Sequence, residues 1–231
     1  MQTAYANPYS AAAAEPTERA IFIRKTYLHL AGAILAFVGI EAWLLNSSIG
    51  ESLASWMLSL NWLFILGGFM AASWIADRWA QSDASRGKQY LGLSLFVVAE
   101  AVIFLPMLWI AAHYSAADVI PKAGIVTGFL FAALTATAFV TGKDFSFLRG
   151  FIMIGGLVAI GTIVVGILFG FNLGTWFSGA MVLLAAGSIL YTTSQIIRQY
   201  RTDQYVAASL GLFAGVALLF WYILRIFMSR D

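Results

Sequence analysis

The chain has 231 residues, of which 61% are hydrophobic and only 10% are charged. A soluble domain carries about 25% charged residues, so this composition indicates a polytopic membrane protein surrounded by a lipid bilayer. Cysteine is absent, which excludes disulfides and sulfur-ligated metals, and the net charge of +2 gives no indication of nucleic-acid binding.

The first 20 residues are polar and alanine-rich and contain two prolines. They predict a disordered cytoplasmic tail over residues 1–20, followed by a transmembrane domain over residues 21–231. No short apolar run with a cleavage site precedes the first span, so we expect no removable signal peptide.

Seven apolar runs follow, each close to the roughly 20 residues that a helix needs to cross a bilayer. They predict an all-α fold of seven transmembrane helices. The predicted spans are Thr26–Asn46, Trp56–Ala76, Gln89–Ala112, Ala123–Thr141, Gly150–Phe171, Trp176–Ile197 and Tyr205–Met228.

The lysines and arginines fall mainly on one side of these spans, and basic residues mark the cytoplasmic side of a membrane protein. We therefore predict a cytoplasmic N-terminus, which with seven spans places the C-terminus outside. The cytoplasmic set is Arg19, Arg24, Lys25, Arg78, Arg86, Lys88, Lys143, Arg149, Arg198 and Arg201, against Lys122, Arg225 and Arg230 opposite.

The stretch TGKDFSFLRG, residues 141–150, forms the predicted inner turn between spans four and five. Gly142 is expected to end the fourth helix in the left-handed conformation, and Asp144 or Ser146 to cap the next helix. Lys143 and Arg149 are expected to hold this turn in the cytoplasm.

Glu41 and Arg225 lie within predicted spans, where a charged side chain costs about 2.5–3.5 kcal/mol at the centre of the helix. A rise of about 1.5 Å per residue places them about 22 Å and about 30 Å from the inner boundary, and the arginine points back along its helix. We predict that they form a structural ion pair.

Glu100 lies in the middle of span three, where no basic residue of another span shares its depth. Two interpretations remain open. Glu100 is either a neutral acid that is hydrogen-bonded across helices, or a proton or cation site in a polar cavity.

Pairs of glycines at a spacing of four indicate closely packed helices in three spans. The pair in span seven suggests a last helix that others surround. The pairs are Gly124 and Gly128, Gly166 and Gly170, and Gly211 and Gly215.

No metal-binding, phosphate-binding or nucleophile motif is present, so we predict no enzyme activity, no metal and no cofactor.

Two segments resemble the Bax inhibitor family. AFVTGKDFSFLRGF, residues 138–151, is similar to that family's turn between spans four and five, with Lys143, Asp144, Ser146, Phe147 and Leu148 as its motif. GSILYTTSQII, residues 187–197, and the final SRD, residues 229–231, resemble the bacterial YccA-like branch.

The resemblance implies six helices around a central seventh, in the inner membrane of a bacterium. It implies a modulator or substrate of the membrane protease FtsH, with HflK and HflC as further partners and a role in stress protection. The alternative that it implies is a pH-sensitive leak channel for calcium or protons.

The leak members of the family carry a pair of acidic residues in spans six and seven. The positions that match them here are Thr192 and Phe213, and neither is acidic. The acidic-pair sensor is therefore not carried over, and Glu100 is the remaining candidate for an ion site.

Overall fold

The structure, a computed structural model, describes residues 10–83 and 85–229. These residues form eight α-helices and no β-strand. The helices are α1 (Pro16–Leu45), α2 (Ser48–Ser59), α3 (Trp62–Ala80), α4 (Arg86–Tyr114), α5 (Val119–Thr141), α6 (Leu148–Phe169), α7 (Gly174–Arg198) and α8 (Tyr205–Met228).

Six of the eight helices, α1 and α4 to α8, are long and apolar enough to cross a membrane. Helices α2 and α3 meet at a bend of 115° and supply a seventh span only when they are taken together. The described part of the chain is thus an all-helical membrane domain. The seventh predicted span coincides with α8, and predicted spans three to six lie within a few residues of α4 to α7.

The second span was predicted at Trp56–Ala76, but a helix break lies inside this range. The Asn61 side chain accepts a hydrogen bond from the Leu63 N–H at 3.0 Å and begins α3. The Ser47 hydroxyl accepts from the Gly50 N–H at 3.1 Å and begins α2. Polar side chains that satisfy free N–H groups therefore set these boundaries. An average of hydropathy over about 20 residues does not detect such single capping residues.

Helix α1 begins at Pro16, inside the range 1–20 that was predicted as a tail. Proline suits the first helical position because its missing N–H needs no partner there. Residues 1–9 lie outside the described residues. The Ala11 N–H donates to the Tyr200 carbonyl at 2.7 Å, so the segment before α1 contacts the connection between α7 and α8.

Helix α8 has the largest buried fraction of the six candidate spans and packs against α1, α3, α4, α5 and α7. A methyl group on Gly215 would lie 2.9 Å from Ile189 Cγ1, and one on Gly211 would lie 3.3 Å from Thr192 Cγ2. The prediction of close packing by the glycines of the last span is confirmed.

The glycine pair in α5 behaves differently. A methyl group on Gly124 or Gly128 would meet no atom within 4 Å. The prediction of close packing at these two residues is wrong, because both border a cavity between α1, α4, α5 and α8 and do not touch another helix.

Helices α3 and α4 pack closely at Gly92. Ala76 and Ala80 of α3 are fully buried opposite this glycine. A methyl group on Gly92 would lie 2.5 Å from the Ala76 carbonyl oxygen and 2.5 Å from the Ala80 nitrogen. A hydrogen in place of a side chain thus allows the two backbones to touch.

Candidate functional site

A cavity of about 570 Å³ reaches Glu100 in the middle of α4. We call it the Glu100 cavity, and its walls come from α3, α4, α6, α7, α8 and the connection before α7. Most of the lining is apolar. Apart from tryptophan, its charged and hydrogen-bonding side chains are Ser73, Glu100, Asn172, Tyr222 and Arg225.

Glu100 is only 6% exposed, and no described residue forms a hydrogen bond or an ion pair with it. The interhelical hydrogen bond that was predicted as one alternative is therefore absent among the described residues. A cavity does reach Glu100, but its lining is mostly apolar rather than polar, so the proton or cation site stays a prediction. The Ser73 hydroxyl, which also borders this cavity, is buried and has no hydrogen-bond partner within the described ranges.

The predicted ion pair between Glu41 and Arg225 is not formed. Glu41 is 4% exposed, and neither of its carboxylate oxygens has a hydrogen-bond partner among the described residues. Glu41 borders a second cavity of about 350 Å³ between α1, α4, α5 and α8, whereas Arg225 borders the Glu100 cavity. The helical rise gave the heights of the two residues but not the directions in which they point.

An aromatic layer divides the two cavities. The Phe104 ring lies 4.8 Å from the Trp221 ring and 5.2 Å from the Phe37 ring, centroid to centroid. Phe96 and Phe213 continue the layer at 6.0 Å. Phe37 and Phe213 line the Glu41 cavity, and the other three line the Glu100 cavity. Each cavity thus contains one carboxyl group, and packed rings separate the two.

The family motif lies in the turn between α5 and α6. Gly142 ends α5 with φ of 55°, in the left-handed conformation that was predicted. Asp144 does not cap α6, whose N-cap is Phe147 without a side-chain hydrogen bond. Asp144 Oδ1 instead accepts from the Ser146 hydroxyl at 2.6 Å and the Ser146 N–H at 2.9 Å. These hydrogen bonds hold the pKa of the Asp144 carboxyl below its usual value.

Three hydrogen bonds join this turn to the end of α7, two of them at residues of the second segment that carries the family resemblance and one at the residue that follows it. The two segments, which are far apart in the chain, therefore form one structural unit. The Phe145 N–H donates to Ser194 Oγ at 3.1 Å, Gln195 Nε2 donates to Ser146 Oγ at 3.2 Å, and the Arg198 guanidinium donates to the Gly142 carbonyl.

Of the other motif residues, two are exposed and Leu148 is half-buried. Lys143 is exposed, the Phe147 side chain is 73% exposed, and Leu148 is the first residue of α6. An exposed aromatic ring between Lys143 and Arg149 forms a basic and apolar surface at this end of the bundle, which we call the basic end.

The two positions that match the acidic pair of the leak members have different surroundings. Thr192 borders a cavity of about 280 Å³ at the basic end, and no acidic side chain of the described residues lines it. Phe213 is 2% exposed and lies edge-on to Phe37 and Phe96 in the aromatic layer. These positions therefore bring no carboxylates together.

Arg201 organises the basic end in a way that sequence reasoning missed. Its guanidinium contacts Asp83 at 3.1 Å and Asp203 at 2.6 Å, and Arg86 donates to the Asp203 carbonyl. The hydrogen bond from Arg201 lowers the pKa of the Asp203 carboxyl. The sequence did contain a signal, because the connections between α3 and α4 and between α7 and α8 each carry an aspartate, Asp83 and Asp203. The arginines of these connections were interpreted only as markers of orientation.

His29 belongs to a second polar group at the basic end. Its Nε2 lies 3.0 Å from the Tyr90 hydroxyl, which in turn lies 3.4 Å from the Tyr205 hydroxyl. The group joins the middle of α1 to the first turns of α4 and α8. Elsewhere in the described ranges, no three His, Asp or Glu side chains come together as a metal site would require.

Comparison with known proteins gives one family and several relatives. The family described as Inhibitor of apoptosis-promoting Bax1 matches residues 19–231. An uncharacterized protein of Pseudomonas aeruginosa is 29% identical over 94% of this chain and 93% of its own length. Bax inhibitor 1 of Schizosaccharomyces pombe is 28% identical over 90% of this chain and 76% of its own. The modulator of FtsH protease YccA of Escherichia coli strain K12 is 34% identical over 49% of this chain and 53% of its own.

Proposed function

Because the chain belongs to the Bax inhibitor family, we propose that it is a non-enzymatic regulator of membrane-protein quality control in a bacterial inner membrane. Its partner in this role is an FtsH-type protease, which it modulates or which degrades it, together with HflK and HflC. The name and the membrane of the YccA relative support this role. The match to that relative covers about half of each chain.

The arrangement that goes with this function has seven spans, six around α8, and a cytoplasmic N-terminus. In it α2 and α3 cross the membrane as one bent span. The packing of five helices against α8 supports the central position. The concentration of Arg86, Lys143, Arg198 and Arg201 at the basic end supports a cytoplasmic location for that end.

The basic end supplies the surface on which a cytoplasmic partner would bind. The hydrogen bonds between the α5–α6 turn and α7 fix the shape of this surface. The segment before α1 also contacts the basic end, where the Ala11 N–H donates to the Tyr200 carbonyl. The observation that carries the proposal is the exposure of Phe147, because a ring that is 73% exposed beside Lys143 and Arg149 suits contact with a protein.

A photo-crosslinking residue, benzoylphenylalanine, in place of Phe147 tests this contact in native bacterial membranes. We expect light-dependent adducts that contain FtsH, HflK or HflC. The same residue in place of Phe129, which is also 73% exposed but lies in the middle of α5, is the matched control and is expected to give none. Absence of these partners from the Phe147 adducts and from the co-purified proteins would contradict the proposal.

A second candidate function is a pH-sensitive leak of calcium or protons. The observation that favours it is the Glu100 cavity, an open space in the middle of the bundle that contains a carboxyl group to which no described residue is bonded. No second acid lines this cavity in the part of the chain that the structure describes, and the aromatic layer separates Glu100 from Glu41, so this candidate differs from a carboxylate-pair mechanism. Flux into liposomes is its direct measure.

A further inference from the structure

The Glu100 cavity combines a carboxyl group with aromatic rings on one face of α4. Phe96, Glu100 and Phe104 follow one another at a spacing of four residues, so they lie one helical turn apart on the same face. All three line the cavity, as does Trp221 of α8, whose ring meets the Phe104 ring edge-on at 4.8 Å. The carboxyl group therefore lies between two phenylalanines and close to a tryptophan.

Among the residues that the structure describes, no cation lies near enough to Glu100 to neutralise it. Helices α4 and α8 are in register at the basic end, because the Tyr90 and Tyr205 hydroxyls lie 3.4 Å apart. Glu100 is ten residues beyond Tyr90, and Arg225 is twenty residues beyond Tyr205. At about 1.5 Å per residue, Arg225 therefore lies about 15 Å farther from the basic end than Glu100 does. Arg225 therefore borders the far end of the cavity, and Glu100 is the only acid among its lining residues.

We propose that this cavity binds an organic ammonium ligand with a compact apolar body. The ammonium group donates a charge-assisted hydrogen bond to the Glu100 carboxylate and lies against the rings of Phe96 and Phe104. Aromatic rings attract ammonium groups, most strongly where water is excluded. The apolar body lies against the apolar lining, and a volume of about 570 Å³ lies in the range of small-molecule sites.

Other occupants satisfy the site less well. An apolar molecule such as a lipid chain would leave the Glu100 oxygens without a donor, and buried polar groups without partners are costly. A bare calcium ion needs six to eight oxygen ligands, whereas the lining offers a single acidic side chain beside Ser73, Asn172 and Tyr222. An ammonium group needs only the carboxylate and the rings.

Binding of radiolabelled 1-adamantylamine to the full chain in phosphatidylcholine nanodiscs tests the proposal, with empty nanodiscs subtracted. The comparison ligand is 1-adamantanol, which has the same body and no positive charge. A charge-assisted hydrogen bond is expected to make the amine bind at least about tenfold more tightly. Glu100→Gln keeps the shape of the side chain and is expected to remove this difference.

A matched pair of glycine variants in α6 tests whether binding needs the space in the cavity as well as the carboxyl group. Gly156 lines the cavity and Gly161 does not, and a methyl group on either would meet no atom within 4 Å. Gly156→Leu is expected to abolish binding of the amine with Glu100 still in place, and Gly161→Leu to leave it unchanged.

Equal affinity for the amine and the alcohol, or full amine binding by the Glu100→Gln or Gly156→Leu protein, would overturn the proposal. The inference does not depend on the protease partner. A chain that binds the amine but crosslinks to no protease would contradict only the proposed function, and the reverse result would contradict only the ammonium site.

Discussion

Replacement of Gly92 by alanine is expected to destabilise the protein by about 1–3 kcal/mol, the usual cost of overpacking a tight contact. The added methyl group would lie 2.5 Å from two backbone atoms of α3, at Ala76 and Ala80. Backbone atoms cannot turn aside as a flexible side chain can, so the two helices must separate. Thermal unfolding of the purified protein in detergent, followed by tryptophan fluorescence, measures the change.

The matched control is Gly87→Ala, in the first turn of the same helix. A methyl group on Gly87 meets no atom within 4 Å, so this variant is expected to be as stable as the native chain or more stable by up to about 1 kcal/mol. Equal melting temperatures for the two variants would show that α3 and α4 do not touch at Gly92.

Replacement of Glu100 by glutamine is expected to reduce pH-dependent calcium flux to the level of empty vesicles, if the leak candidate is correct. The amide keeps the size of the side chain but can neither bind a cation as a carboxylate does nor exchange a proton with it. The measurement uses purified protein in liposomes that contain a calcium-sensitive dye, at several external pH values.

The control for that measurement is Glu51→Gln, because Glu51 is exposed on α2 and is expected to be neutral for flux. Two results would contradict the leak candidate. One is a native chain that gives no more flux than empty vesicles, and the other is a Glu100→Gln protein that keeps the native pH dependence.

Much of the fold was predictable because the information lies along the chain. The span Tyr205–Met228 coincides with α8, and Gly142 ends α5 as expected. The break at Asn61 was missed because the residues on both sides of it are apolar, and only a cap hydrogen bond reveals where one helix stops and the next begins. Local capping, rather than hydropathy, decided this boundary.

The candidate site was less predictable because it depends on directions around helix axes. Counting residues placed Glu41, Glu100 and Arg225 at useful depths, but depth alone could not show that Arg225 shares a cavity with Glu100. The aromatic partners of Glu100 were visible in the sequence, since Phe96 and Phe104 are each four residues away from it. Their role as part of a binding site became visible only with the cavity beside them and the contact between the Phe104 ring and the Trp221 ring of α8.

The proposed partner surface and the proposed ligand site lie at different depths in the molecule. The basic end carries the α5–α6 turn, which is hydrogen-bonded to α7, and the ion pairs of Arg201. This end is the proposed surface for a cytoplasmic partner. The middle of the bundle carries two carboxyl groups in separate cavities, divided by packed rings. A protein partner and a small ligand could therefore act on the same molecule without competing for one surface.

Labelling of single cysteines across the bent α2–α3 pair tests the seven-span arrangement most directly, because the native chain contains no cysteine. Glu51→Cys and Lys88→Cys place one thiol on each side of α3, at exposed positions. The arrangement predicts that a membrane-impermeant maleimide labels the Glu51→Cys protein on intact cells and the Lys88→Cys protein only after permeabilisation. Labelling of both proteins from the same side, or the reverse pattern, would contradict it.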